Sequence, residues 1–440
     1  MKWKRWWPAM AVKTKWLLSS DCPSSCTMTG VWRAVAYDQG CVVIFHSPAG
    51  CAHVASTMDL GNHYRITADG CPEKGDPVPL ISSNLREKDS IFGGIERLHE
   101  CIKYAVKTCH PECLVIASSC VAGVIGDDVD EEARQAEEAY GIPVLSMAFS
   151  GFLGGEYSDG YYKTMDAIMH RFFKKQDHKK GKVLLLGDQM GPEGQYAREV
   201  KRLLSFFGLT VDFQFPGYVP FSKWSQVTEA SLSVLLGTAG QPEGMKERAL
   251  WLEKEFGISF LGDLYPLGLE GTWSWIRRLA DFMKEKDKGE ALIREEMERV
   301  EKRVSAFLPV TEGKKAFIAI GRGRRWYHPS GTIRSLQRLH MEPAGVMFFS
   351  NLTEEDMAAD REEISALGDI PVYHEEEGQK AMETADVLLT TNEIYDSSLR
   401  QLFIPMVPLA GTEGELAFLT SLYRLLCRHG RKGGMTYVKM

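Results

Sequence analysis

What the chain lacks narrows it first. It has no uninterrupted apolar run of about eighteen residues, the length a helix needs to cross a bilayer, so no membrane span is expected. It has no Gly-x4-Gly-Lys-Ser/Thr phosphate loop, so any ATP hydrolysis belongs to a partner. Charge of one sign is scarce. The net charge is −7 over 440 residues, with no acidic or basic tail, which argues against nucleic acid or another charged polymer as partner. Cysteine is missing from the whole stretch between Cys120 and Cys427. Met1 to Leu18 sets four Trp among Lys and Arg, without the apolar core or cleavage site of a signal peptide. We expect an N-terminal arm that packs on this chain or on a partner.

What is present is concentrated thiol. Nine of ten cysteines lie before residue 121. Without a secretion signal this points to a reducing, cytoplasmic setting, where thiols serve metals or redox chemistry more often than disulfides. Three stand in short Gly-bearing settings: Cys26-Thr-Met-Thr-Gly30, Ser47-Pro-Ala-Gly-Cys51, and Ser119-Cys120-Val-Ala-Gly-Val-Ile-Gly-Asp-Asp128. Cys51 and Cys120 each follow an apolar run, Cys41–Phe45 and Cys113–Ala117, and Cys26 precedes a helical stretch. Thiolates on such loops can converge. Three of them suit an iron–sulfur cluster whose remaining iron is held by another chain. Cys22 forms Cys-x3-Cys with Cys26 and is a rival ligand.

At this length one core is not enough, and 44% apolar content supports well-buried interiors. Short runs rich in Val, Ile and Leu recur between helical segments. They include Val183–Gly187, Leu232–Leu236, Ile258–Leu261, Ala316–Ile320, Gly345–Phe349, Val387–Thr390 and Ile404–Val407. Apolar strands alternating with helices mark parallel sheets covered on both faces. Polar breaks at 178–182 and 312–315 predict three doubly wound α/β domains: a cluster-binding domain 1–180, a second domain 181–312 ending in a charged linker helix, and a third domain 313–440. In that helix Glu295/Arg299 and Glu298/Lys302 are spaced as i,i+4 pairs on a solvated face.

The three cysteine motifs, Ser83-Asn-Leu-Arg-Glu-Lys-Asp-Ser-Ile-Phe-Gly-Gly94, Gly151-Phe-Leu-Gly154 and Tyr265-Pro-Leu-Gly-Leu-Glu-Gly-Thr272 together resemble the component 1 subunits of nitrogenase and nitrogenase-like reductases. The resemblance implies a three-domain, mainly parallel α/β subunit. It implies pairing with a related component 1 subunit, or with a second copy, in a heterotetramer-type assembly. It places an iron–sulfur cluster, 4Fe-4S or a P-cluster-like 8Fe centre, at the interface, with Cys26, Cys51 and Cys120 as this chain's ligands. It also implies an ATP-dependent iron protein as electron donor.

The chain departs from nitrogenase at the molybdenum cofactor. The anchoring Cys falls near Leu235–Thr238 and the anchoring His near Pro405–Ala410, and neither residue type is there. A Gln and a His of the catalytic subunit fall on Tyr157 and Tyr161. The resemblance therefore implies a β-like subunit, or a substrate other than dinitrogen. A second metallocluster or tetrapyrrole-type ligand would lack the usual anchors. A scaffold for cofactor assembly is the alternative reading.

Two further groups are candidates for the substrate side. Tyr157 and Tyr161, with Tyr162 beside them, either donate protons or stack on a flat substrate, or simply fill space. Arg322, Arg324 and Arg325 follow the strand Ala316–Ile320 in a Gly-Arg-Gly-Arg-Arg loop. They either clamp an anion or pair with acidic neighbours on the surface. Ligands of doubly wound sheets bind beyond strand carboxyl ends, so a cavity shared by Tyr161 and this loop is expected. His46 and His53 bracket Cys51 and either pack or, as His does in some iron–sulfur centres, ligate, and Asp127 and Asp128 are read as helix caps.

Overall fold

The computed structural model describes residues 25–57, 76–189, 191–237, 242–321, 329–349, 352, 354–392, 394, 399–404 and 408–428. The contacts divide the chain into two compact units, one within Pro23–Tyr265 and the other from Pro266 on.

The first unit holds two parallel sheets. One is ordered β2-β1-β3-β4, from Leu80–Ser82, Cys41–His46, Cys113–Ser118 and Val144–Met147. The other is ordered β6-β5-β7-β8, from Thr210–Phe215, Lys179–Leu186, Ala230–Leu235 and Ser259–Phe260. β1 and β3 are buried at every position. Val43, Phe45 and Val115 enter one core, and Val42, Ile44, Leu114 and Ile116 the other. Alternate residues thus line the two faces of a sheet covered on both sides. Around these sheets lie α1 (Thr27–Val35), α2 (residues 49–57), α3 (Asp89–Phe92), α4 (Ile95–Cys109), α5 (Cys120–Ile125), α6 (Val129–Tyr140), α7 (Tyr157–Phe172), α8 (Gln195–Phe206) and α9 (Pro242–Phe256). Gly141 and Gly257 end α6 and α9 with φ of 66° and 78°, as helix-terminating glycines do.

The second unit holds one parallel sheet, β11-β10-β9-β12-β13, from Val372–His374, Glu342–Phe348, Lys315–Ile320, Val387–Thr390 and Arg400–Phe403. With it go α10 (Gly268–Met283), α11 (Lys286–Thr311), α12 (Pro329–Arg338), α13 (Glu354–Ser365), α14 (Glu375–Ala381) and α15 (Gly411–Leu426). The three sheets are all parallel, as the apolar runs implied.

Some details differ from the sequence reading. The last strand is Arg400–Phe403, just ahead of the apolar run. Its side chains are half-exposed at a sheet edge, so polarity hid it. Of the expected strand, Ile404 follows β13 and residues 405–407 lie outside the described residues. The charged helix, expected from about Glu290 to Phe307, runs from Lys286 to Thr311 and packs on α10 and α15. Its Arg299 turns to buried Glu296 at 3.2 Å and to Glu413, not to Glu295. Tertiary partners outcompete a solvated i,i+4 pair of a few tenths of a kcal/mol.

Candidate functional site

From β1 the chain adds β2 on one side of the sheet and then β3 on the other, so the strand order reverses between β1 and β3 while all strands stay parallel. In a doubly wound sheet that crevice, beyond the carboxyl ends of the strands, is where ligands bind. Cys51 and Cys120 stand there. His46 and Ser118, the last residues of β1 and β3, are in register, and the Ser119 nitrogen donates to the His46 carbonyl at 3.1 Å. Cys120 opens α5, and Ser119 caps it by accepting from the Ala122 nitrogen at 3.2 Å. Cys51 lies in the first turn of α2, its nitrogen donating to the Pro48 carbonyl at 3.1 Å. Cys26 is the N-cap of α1. All three thiols thus sit at helix starts.

Glycine explains how Cys26 arrives. A Cβ on Gly30 would stand 2.0 Å from the Tyr157 carbonyl oxygen and 2.6 Å from the Tyr161 nitrogen. A Cβ on Gly160 would stand 2.0 Å from the Thr27 carbonyl. These two glycines let α1 and α7 cross backbone to backbone. Thr27 Oγ1 donates to the Gly151 carbonyl at 3.0 Å, and a Cβ on Gly151 would stand 2.7 Å from the Cys120 nitrogen. The Gly-Phe-Leu-Gly turn therefore wedges Cys26 and Cys120 to one side of the sheet.

The three thiols feel one another. Burial raises the Cys51 thiol pKa, the Cys26 and Cys120 thiols raise it further, and a hydrogen bond from Ser47 opposes them. All three are partly exposed. Other thiols differ. Cys41 and Cys113 are buried in the core, and burial pushes Cys101 up to about 12. Cys22 lies outside the described residues. No three His, Cys, Asp or Glu among the described residues close on a single ion. A cluster takes its thiolates on separate irons, so wider spacing suits it.

Sequence reasoning missed what braces these loops. His46 is fully buried. Its Nδ1 is 3.0 Å from Ser83 Oγ and its Nε2 2.9 Å from Asp127 Oδ2. Asp127 also accepts from the Gly94 nitrogen at 2.9 Å, and a Cβ on Gly94 would stand 2.6 Å from that carboxylate. One network thus ties β1, the Ser83–Gly94 motif and the Gly-Asp-Asp motif together. Asp128 is the cap of α6, accepting from the Glu131 nitrogen at 3.0 Å. Asp127 is not a cap, because it is consumed by His46 and Gly94. The signal was present in Gly93-Gly94 and Gly126-Asp127, but their partnership is a tertiary fact.

Burial lowers the His46 pKa below its ordinary value of 6.5, against the pull of Asp127. The unfolded chain then binds more protons below about pH 6.5, so stability is lost as pH falls through that value and is flat above it. We expect the unfolding temperature to fall from pH 7.5 to 5.5, and His46→Gln to show a shallower fall. Identical slopes for the two proteins would refute this origin.

Tyr161 is fully buried. Its hydroxyl has no hydrogen-bond partner among the described residues, and burial raises its pKa. Tyr157 stacks on it at 5.8 Å and Tyr162 meets it edge-on at 5.2 Å. Beyond lies the carboxyl end of β5, where Asp188 Oδ2 takes Arg33 Nε at 2.9 Å. Removing an unpartnered buried hydroxyl costs nothing, so Tyr161→Phe should leave the unfolding temperature unchanged or higher. A lower one would reveal a bond to the hydroxyl. Arg322, Arg324 and Arg325 lie outside the described residues, and so does Thr238. Leu235 and Leu236 are buried core residues with no ligating atom.

Large apolar side chains stand exposed on the helices that carry Cys51 and Cys120 and on elements that contact α5: Val54 on α2, Val124 on α5, Ile91 and Phe92 on α3, and Phe152 and Leu153 beside Gly151. Phe92 is 85% exposed.

Repeated parallel sheets covered by helices, with Cys51 and Cys120 following the strands at the switch point of the first, define a multi-sheet α/β protein. The chain belongs to the nitrogenase component 1 type oxidoreductase family, whose model matches residues 26–419. It is 31% identical over 284 residues to the nitrogenase iron-molybdenum cofactor biosynthesis protein NifE of Clostridium pasteurianum, covering 63% of this chain and 58% of that protein. It is 27% identical over 301 residues to the nitrogenase molybdenum-iron protein alpha chain of Methanosarcina barkeri, covering 65% and 53%. The matches thus span little more than half of these relatives. The solved structure of nitrogenase Cp1 at pH 5 shares the fold, with a TM-score of 0.63 at 18% identity over 93% of this chain and 89% of that one. No helix among the described residues is long and apolar enough to cross a membrane.

Proposed function

We propose that this chain is a catalytic-component subunit of a nitrogenase-like, ATP-dependent reductase, holding one side of an interfacial iron–sulfur cluster through Cys26, Cys51 and Cys120. The observation that carries the reading is the placement of Cys51 and Cys120 after the paired strands β1 and β3 at their switch point, with Cys26 tied to the Cys120 loop through Thr27 and Gly151. Bound there, a cluster would supply low-potential electron transfer. The chain's own residues do the rest. Three helix starts present the thiols, the His46 network fixes the loops, and α1 against α7 sets Cys26. The exposed apolar side chains support a protein partner over the site, either a related component 1 subunit or a second copy, and an iron protein as electron donor. A cytoplasmic location accords with the free thiols. On the substrate side we retain Tyr157, Tyr161 and the loop of Arg322, Arg324 and Arg325, with a substrate other than dinitrogen.

Resemblance to NifE favours a second reading, a scaffold on which a complex cofactor is assembled. Turnover of a tetrapyrrole or another candidate substrate with an iron protein, dithionite and ATP decides between them. A cluster that passes to an acceptor protein without turnover would favour the scaffold. Either reading requires a covered site, so mass measurement under anaerobic conditions should show an oligomer. A cluster-loaded monomer would refute the interface.

A further inference from the structure

A second concave site lies wholly within the unit that follows Pro266. It is a cavity of about 410 Å³ at the starts of α10, α12 and α15. Its walls are largely apolar, with Leu267, Ile404, Leu409 and Phe418 among them. That volume is in the range of small-molecule pockets.

The polar groups on the cavity are few and distinctive. Helix α10 begins on Leu267 and α15 on Ala410, and neither cap residue makes a side-chain hydrogen bond to its helix. The first N–H groups of a helix need partners, the apolar cap Leu267 supplies none to α10, and the start of that helix lines the cavity. Gly268 and Gly331 line it, and a Cβ on either would meet no atom within 4 Å. Glu415 also lines it, only 8% exposed. Ser335 Oγ donates to Glu415 Oε1 at 2.5 Å, the one hydrogen bond its carboxyl makes among the described residues, so Oε2 is left to the cavity.

We propose that this cavity binds a small organic acid, its apolar body along Leu267, Ile404 and Phe418 and its carboxylate between the start of α10 and the Glu415 carboxyl. The helix starts present positive ends, which favour an anion and oppose an amine. Glu415 must then hold a proton and donate it to the ligand oxygen. Burial raises its pKa and Glu270 adds to this, while Ser335 and Arg338 oppose it. Glu270 is itself paired with Arg334 at 3.5 Å, both half-exposed. Binding therefore strengthens as pH falls and the carboxyl stays protonated. This site shares no residue with the thiol site, and its test does not depend on a cluster.

The probes are 4-phenylbutyrate and 4-phenylbutylamine, which share an apolar body and differ in the head. Calorimetry on the anaerobically purified full chain should show one phenylbutyrate per chain, bound about tenfold more tightly at pH 6 than at pH 8. The amine should bind far more weakly. Glu415→Gln keeps a donor but has no proton to lose, so it should bind the acid with most of the pH difference gone. Gly331→Phe has room for its Cβ and should abolish binding by filling the cavity. Equal binding of the amine, unchanged binding in Gly331→Phe, an unchanged pH difference in Glu415→Gln, or binding of neither probe would each overturn the proposal.

Discussion

Anaerobically purified protein carrying Cys51→Ala and Cys120→Ala together should hold less than about a tenth of the iron and acid-labile sulfide of the parent. Its reduced-state EPR signal should vanish. Cys51 and Cys120 are delivered from neighbouring strands in register at one switch point. Losing both would leave Cys26 alone on this side of a cluster, and a single thiolate cannot anchor several irons. Cys101→Ala, a buried thiol outside the site, serves as control and should retain full content. Near-parental iron in the double variant would end the cluster reading. Iron lost equally from the Cys101 variant would show that the effect is unfolding.

The second large effect concerns glycine. Gly30→Ala should destabilise the fold by about 3 kcal/mol, the upper end for overpacking, because the new Cβ meets backbone atoms of Tyr157 and Tyr161 that cannot turn aside. Denaturant unfolding of the cluster-free protein measures it. Gly50, one residue before Cys51, makes the contrast. It is helical and exposed, and a Cβ there meets nothing within 4 Å. Gly50→Ala should stabilise the chain by up to ~1 kcal/mol, as alanine does in helices. If it also impairs assembly with a partner, Gly50 serves that surface rather than the fold. Equal unfolding midpoints for Gly30→Ala and the parent would remove the close crossing of α1 and α7.

The sheets were legible because β1, β3, β5, β7, β9 and β12 are runs of buried Val, Ile and Leu, which only a doubly covered parallel strand needs. Two of the edge strands were not. Arg400–Phe403 and Thr210–Phe215 expose part of their surface, so their composition follows solvent as much as the core. Cys26, Cys51 and Cys120 were legible through the glycines beside them. Of these, Gly30 answers a steric demand at the Tyr157 and Tyr161 backbone, whereas a Cβ on Gly50 meets nothing within 4 Å. The partnership of His46 with Asp127, 81 residues away, was not, because nothing local distinguishes a histidine bound to a carboxylate from one merely packed. Nor were the exposed apolar side chains. Isolated Val54, Val124 and Phe152 look ordinary until folding leaves them exposed on the thiol-bearing helices and the turn that contacts one of them.

Helix α1 acts as a gauge block. It carries Cys26 at one end and, in its last turn, Arg33 bonded to Asp188 at the far sheet. Nine residues give it a length of roughly 13 Å, and adding one would swing the two ends out of phase by roughly 100°. Gly30 fixes its depth against α7, so it cannot slide to compensate. Descendants of this chain are free to change surface loops by insertion, but the count of residues from Cys26 to Arg33 is a dimension they must inherit unchanged.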